Sequence, residues 1–185
     1  MNICITQKNV GKTKKISKIY SLMKIFLPHP LNEIGKRQNN EDNIFPPKDT
    51  ATANQHFFLV CDGMGGHENG EVASSTVCES FANKLKNIKP EDFNKEVFEN
   101  TLSYAYEELD KKDTGEGKKM GTTLTFLYLN KKQAFMAHIG DSRVYHLRKN
   151  KNGKVEIIYK SSDHSLVNEL LQSGIITDVI RSIPS

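Results

Sequence analysis

Phe57-Phe58-Leu59-Val60-Cys61-Asp62-Gly63-Met64-Gly65-Gly66-His67 is the stretch on which the fold turns. Residues 55–61 read as a short buried strand, because the run is continuously apolar and rich in Phe and Val. Glycines 63, 65 and 66 stop it. From Asn69 the period changes. Val72, Ala73, Thr76, Val77, Phe81, Leu85 and Ile88 recur at helical spacing, which predicts an amphipathic helix over residues 70–87. Pro90 ends that element, and a second helix is expected with Phe93, Val97, Leu102, Ala105, Tyr106 and Leu109 on its apolar face.

Downstream of the polar loop 114–119 the chain turns β-rich. Residues 122–129 and 133–139 form one expected hairpin around Asn130-Lys131-Lys132. Residues 143–147 and 155–159 form another, with Asn152-Gly153 at its turn. Leu166, Val167, Leu170 and Leu171 open a short helix that Gly174 closes. Upstream, Met23-Lys24-Ile25-Phe26-Leu27-Pro28 reads as a first strand. Residues 1–22 read as a disordered extension, with Met23 as a candidate start and residues 23–185 as the folded domain. Strand, helix, helix, then several strands is the order of an α+β sandwich with mostly antiparallel sheets.

Composition narrows the function classes. The chain of 185 residues suits one domain with a real core. The net charge is +4, and the basic residues are uneven: Lys8, Lys12, Lys14, Lys15, Lys18, Lys24, Lys36 and Arg37 face the single acid Glu33. Without interleaved aromatics or an arginine cluster, this leader reads as a solvated segment and not as a nucleic-acid interface. The three cysteines, Cys4, Cys61 and Cys78, have no CxxC spacing, so neither a disulfide framework nor a zinc site is indicated. A reducing, cytoplasmic setting follows, with no secretory leader and no membrane span.

Three motifs carry chemistry. Asp62 ends an apolar strand, where a carboxylate is partly desolvated and needs a cation or donors, and the glycines beside it let backbone carbonyls approach an ion. An aspartate that only caps the glycine turn would read the same. Arg37-Gln38-Asn39-Asn40-Glu41-Asp42 offers a guanidinium and two adjacent carboxylates. In an extended segment the two acids point to opposite faces, so one would ligate an ion and the other act through water. A solvated acidic turn is the plainer reading of that segment alone. Ala137-His138-Ile139-Gly140-Asp141-Ser142-Arg143 places another carboxylate after a strand and a glycine. Asp141 is either a ligand or a turn residue paired with Arg143. Oxygen ligands suit Mg2+ or Mn2+, and arginine suits phosphate, so the combination points to phosphoryl chemistry.

Taken together the motifs resemble those of the PP2C-type metal-dependent serine/threonine protein phosphatases, over about residues 31–176. The segments are Gly35-x-Arg37-x-x-Asn40-Glu41-Asp42, then Cys61-Asp62-Gly63-Met64-Gly65-Gly66-His67-x-x-Gly70-Glu71-x-Ala73-Ser74, then Gly121-Thr122-Thr123, His138-Ile139-Gly140-Asp141-Ser142-Arg143, and Ser162-Asp163-His164-Ser165-Leu166-Val167. The resemblance implies an α-β-β-α sandwich of two mixed, mostly antiparallel sheets. It implies two Mn2+ or Mg2+ ions bridged by Asp62, with the Gly63 carbonyl on one, Glu41 on the other, and Asp42 holding bound water. Asp141 matches the position for a third, weaker ion, and Arg37 the phosphate-binding arginine. Gly121-Thr122-Thr123 and Asp163-His164-Ser165 match structural segments. Met64 stands where eukaryotic relatives carry a histidine; His67 is the neighbouring alternative, better suited to ordering the turn.

The implied activity is hydrolysis of phosphoserine and phosphothreonine in proteins, by a monomer working opposite a Ser/Thr kinase. Two downstream metal-binding aspartates of the family have no counterpart before Arg181-Ser182-Ile183-Pro184-Ser185, and Asp178 is not in such a context. The sequence therefore reads as lacking the C-terminal part, with weak metal binding, low activity and marginal stability expected. A catalytically impaired phosphoprotein-binding or regulatory fragment is the alternative, and an unrelated metal-dependent nuclease a more distant one.

Overall fold

The computed structural model describes residues 2–7, 26–52, 54–64, 69–113, 119–130 and 133–164. Within them the elements run β1 (Asn2–Gln7), β2 (Asp42–Phe45), β3 (Phe57–Met64), α1 (Asn69–Leu85), α2 (Lys95–Lys112), β4 (Gly121–Thr122), β5 (Leu124–Leu129), β6 (Ala134–Ile139), β7 (Arg143–Lys149) and β8 (Val155–Lys160). One sheet has the order β2-β3-β5-β6, with the short β4 also on β3, and is antiparallel throughout. The other has the order β1-β7-β8: β1 runs parallel to β7, and β8 antiparallel to it. The α+β class and the two-sheet design match the expectation.

The helices cover one face of the larger sheet. Alternation along β3 and β5 sends Phe57, Leu59, Cys61, Leu124, Phe126 and Tyr128 into the core shared with Phe81 of α1 and Phe98 of α2. Aromatic rings dominate this core. Phe126 lies 5.5 Å from Phe81 and 5.1 Å from Phe98, and Phe93 stacks on Tyr128 at 3.7 Å. Small side chains (Ala73, Ser74, Thr76, Ser80) line the buried side of α1, which lets the helix sit close to the sheet. Their hydroxyls bond back to the helix, as Thr76 Oγ1 does to the Val72 carbonyl at 2.6 Å. On the other face of β5, Thr125 and Leu127 are buried as well, as is Val144 of β7.

Three local expectations need correcting. Residues 2–7, read as part of a disordered extension, form β1 against β7. Averaging over a Lys-rich segment hid Ile3, Ile5 and Thr6, whose β-branched chains favour a strand and which precede the first lysine, Lys8. The strand expected at 23–28 is not seen: residues 26–28 have no regular structure, and 23–25 lie outside the described residues. Of the apolar face expected for the second helix, Phe93, Ala105 and Leu109 are buried and Val97 and Leu102 pack against the core, but Tyr106 is exposed, and Phe98 and Thr101 complete the buried side. The Asn94 side chain caps that helix, accepting from the Val97 N–H at 3.0 Å. The short helix expected after Leu166 lies outside the described residues.

Candidate metal centre

The strand pairing of β2 with β3 builds the site. Register places Asp42 directly opposite Asp62. Cross-strand neighbours stand about 5 Å apart at Cβ, so two carboxylates are forced together. Burial, and then the like charge and hydrogen bond of Asp62, push the Asp42 carboxyl above the usual range; Arg37 pulls it the other way. A protein gains nothing for folding from such a pair, whereas a divalent cation relieves it.

Glu41 diverges from Asp42, as adjacent residues of an extended chain must. Its carboxylate reaches Arg37, where Nη1 donates to Oε2 at 3.4 Å, and lies against Gly70 in the first turn of α1. Its carbonyl accepts from the Gly63 N–H at 3.1 Å. Gly63 and Gly70 are in close backbone approach: a Cβ on Gly63 would stand 1.9 Å from the Gly70 oxygen, and one on Gly70 would stand 2.8 Å from Glu41 Oε1. Neither position accepts a side chain without displacement. Arg37 is exposed, following a turn in which Gly35 has φ +62°. It stands beside the carboxylates and remains open to an anion from solvent.

Asp141 joins this corner indirectly. It is exposed, in the turn between β6 and β7. Its neighbours Gly140 and Ser142 both rest on Thr123, the residue between β4 and β5, and Thr123 exchanges two hydrogen bonds with Asp62. Arg143 does not take Asp141. It donates from both Nε and Nη2 to the two Asp163 oxygens, each at 2.5 Å. The His164 N–H bonds the Gly140 carbonyl at 2.9 Å. Asp163 and His164 thus act as a strap over the turn.

The structure therefore brings together Arg37, Glu41, Asp42, Asp62 and Gly63, and links Asp141 to them only through its chain neighbours and Thr123. Among the described residues, no three His, Cys, Asp or Glu side chains form a group able to enclose a metal ion. The donors present are all hard oxygens in a glycine-lined corner, which is the chemistry of Mg2+ or Mn2+ and not of zinc. Gly65, Gly66 and His67 lie outside the described residues. Sequence reasoning did not single out Gly70 or Thr123 as functional. Gly70 had a signal, a glycine at a helix start, whereas the role of Thr123 depends on pairings between distant strands.

Comparisons with known proteins identify the family. A profile described as Protein phosphatase 2C matches residues 32–177. The serine/threonine phosphatase stp of Listeria welshimeri is 35% identical over 154 residues, covering 76% of this chain and 55% of the relative. The protein phosphatase PhpP of Streptococcus pneumoniae is 33% identical over 151 residues, covering 80% and 58%. The serine/threonine phosphatase PstP/Ppp of Mycobacterium tuberculosis superposes with a TM-score of 0.60 at 31% identity, covering 76% of this chain and 55% of that one. A PstP catalytic domain in complex with 2 manganese ions gives 0.59 at 30% identity, covering 76% and 56%. The chain thus spans little more than half the length of these relatives, yet the profile match covers most of its own residues, Glu41, Asp42, Asp62 and Asp141 among them: it belongs to the protein phosphatase 2C family.

Proposed function

We propose that the chain takes part in metal-dependent hydrolysis of phosphoserine and phosphothreonine in proteins. The observation that carries this is the Asp42–Asp62 pairing across β2 and β3, with Glu41 held against Gly63 and Gly70 beside it. Asp62 would bridge two Mn2+ or Mg2+ ions, the Gly63 carbonyl and Glu41 would each hold one, and Asp42 would orient metal-bound water. Asp141 would contribute to a third, weaker ion. When bound, the ions supply a water acidic enough to attack phosphorus in line, and they offset charge on the transferring group.

The chain's own residues do the rest. Arg37 binds the phosphate as a planar, permanently charged donor, and its exposure suits a protein-borne substrate that must approach from solvent. The Glu41 contact keeps that guanidinium at the carboxylate corner until a phosphate competes for it. The manganese-bound neighbour supports the choice of ion, and the names of the relatives support the substrate class. The reading extends to a Ser/Thr kinase as functional counterpart and to a monomer in a reducing cytoplasm. Cys61 and Cys78 are both buried, with their sulfurs 3.5 Å apart. Among the described residues, no helix is long and apolar enough to cross a membrane.

A second reading, phosphoprotein binding without turnover, is favoured by the absence of a three-carboxylate group among the described residues. Mn2+-dependent hydrolysis of p-nitrophenyl phosphate separates the two. Turnover abolished by chelator and by Asp62→Asn supports the phosphatase, and a folded chain with no turnover supports the binding module.

A further inference from the structure

We propose that Thr123 is a positioning residue that fixes the Asp141 turn relative to Asp62, and so sets the spacing of the metal ligands; this rests on the metal-dependent reading above. Thr123 separates β4 from β5 and is almost fully buried. Its N–H donates to the Asp62 carbonyl at 2.9 Å, and its Oγ1 accepts from the Asp62 N–H at 3.0 Å. Both backbone groups of the candidate bridging aspartate therefore end on this one residue. The same Oγ1 lies 2.8 Å from Ser142 Oγ, itself buried.

The methyl group does separate work. Gly140 has φ +95° and sits directly on Thr123, where an added Cβ would stand 2.7 Å from Cγ2. Asp141 is thus flanked on one side by a residue packed on the Thr123 methyl and on the other by a residue bonded to the Thr123 hydroxyl. The turn is also held from outside by the His164 N–H on the Gly140 carbonyl. A buried hydroxyl is costly unless bonded, and here each bond ends on a residue at or next to a candidate ligand. The β-branched side chain is stiff, so displacement of one contact is passed to the other.

The two branches can be tested apart. Thr123→Val keeps the methyl and removes the hydroxyl, and Thr123→Ser does the reverse. Mn2+ binding to the full chain, read by electron paramagnetic resonance, is expected to weaken about tenfold in Thr123→Val and in Ser142→Ala, the usual scale for groups that orient ligands. The double variant should be no weaker than Thr123→Val alone, and Thr123→Ser, which loses only the methyl packed on Gly140, should bind more weakly than wild type and more tightly than Thr123→Val. In the metal-free chain, the Asp62 amide should exchange faster in Thr123→Val and unchanged in Thr123→Ser. Wild-type affinity in Thr123→Val overturns the inference. So does a lowered melting temperature with unaltered Mn2+ binding, or an equal loss in Thr123→Ser. A wild-type chain that binds Mn2+ and hydrolyses no phosphoester overturns the phosphatase and leaves this inference standing; one that binds no Mn2+ overturns both.

Discussion

At the scale of the residue, the site is made by backbone proximity as much as by carboxylates. Gly63 and Gly70 touch, and Glu41 fills the space beside them. Gly70→Ala would press its Cβ on the end of the flexible Glu41 side chain, which can move aside. The Gly63 backbone, 3.0 Å from that Cβ, yields less easily, so the melting temperature should fall modestly and Mn2+ affinity with it. Gly63→Ala meets backbone at 1.9 Å instead and should cost about 3 kcal/mol or more in a urea titration. Asp42 offers a test by pH. Its carboxyl holds its proton more tightly in the folded chain than the ordinary value of 3.8. Its contribution to stability is thus full below about pH 4 and is lost as pH rises through the raised value. In chelator, Asp42→Asn should melt above wild type at pH 7, with the gap closing towards pH 3.5. Saturating Mn2+ should reverse the order at pH 7. An Asp42→Asn chain that melts below wild type at pH 7 without metal would contradict the account.

At the scale of the element, the sequence was most legible where a single period ran unbroken. Apolar continuity marked β3, helical spacing marked α1, and Asn-Gly marked the β7–β8 turn, where Gly153 has φ +79°. The buried face of α2 was less legible, since Tyr106 fits an apolar stripe by type yet is exposed, while Thr101, polar by type, is buried. β1 was illegible because its strand formers Ile3, Ile5 and Thr6 stand just before a long Lys-rich segment, and its partner β7 lies more than a hundred residues away. The Asp42–Asp62 pairing was likewise out of reach of local pattern, because register between β2 and β3 is a tertiary fact; the motif resemblance supplied the association that periodicity did not. The element that matters most for holding the site is α1, which carries Gly70 at one end and Phe81 in the aromatic core. Phe81→Ala should cost about 3–5 kcal/mol by chemical denaturation. The loss of Mn2+ binding should then track the unfolded fraction, since Phe81 has no contact with the ligands.

At the scale of the molecule, the described residues cover one sheet better than the other. Val155, Ile157, Ile158 and Tyr159 on the edge strand β8 are all exposed, so this sheet adds less to stability than the aromatic core under α1 and α2. The ligand-bearing corner belongs to the better-covered sheet, where β3 is flanked by β2 on one side and β4 and β5 on the other. Arg37, Glu41, Asp42, Asp62 and Gly63 should therefore hold their arrangement in a chain that spans only part of its relatives' length. The direct test is a Mn2+ titration of the full chain by isothermal calorimetry, beside Asp62→Asn. The account predicts saturable binding to wild type, weaker than a site enclosed by a full set of carboxylates, and its loss in Asp62→Asn while the far-ultraviolet circular dichroism is unchanged. Equal binding to both chains, or none to a folded wild type, would contradict it.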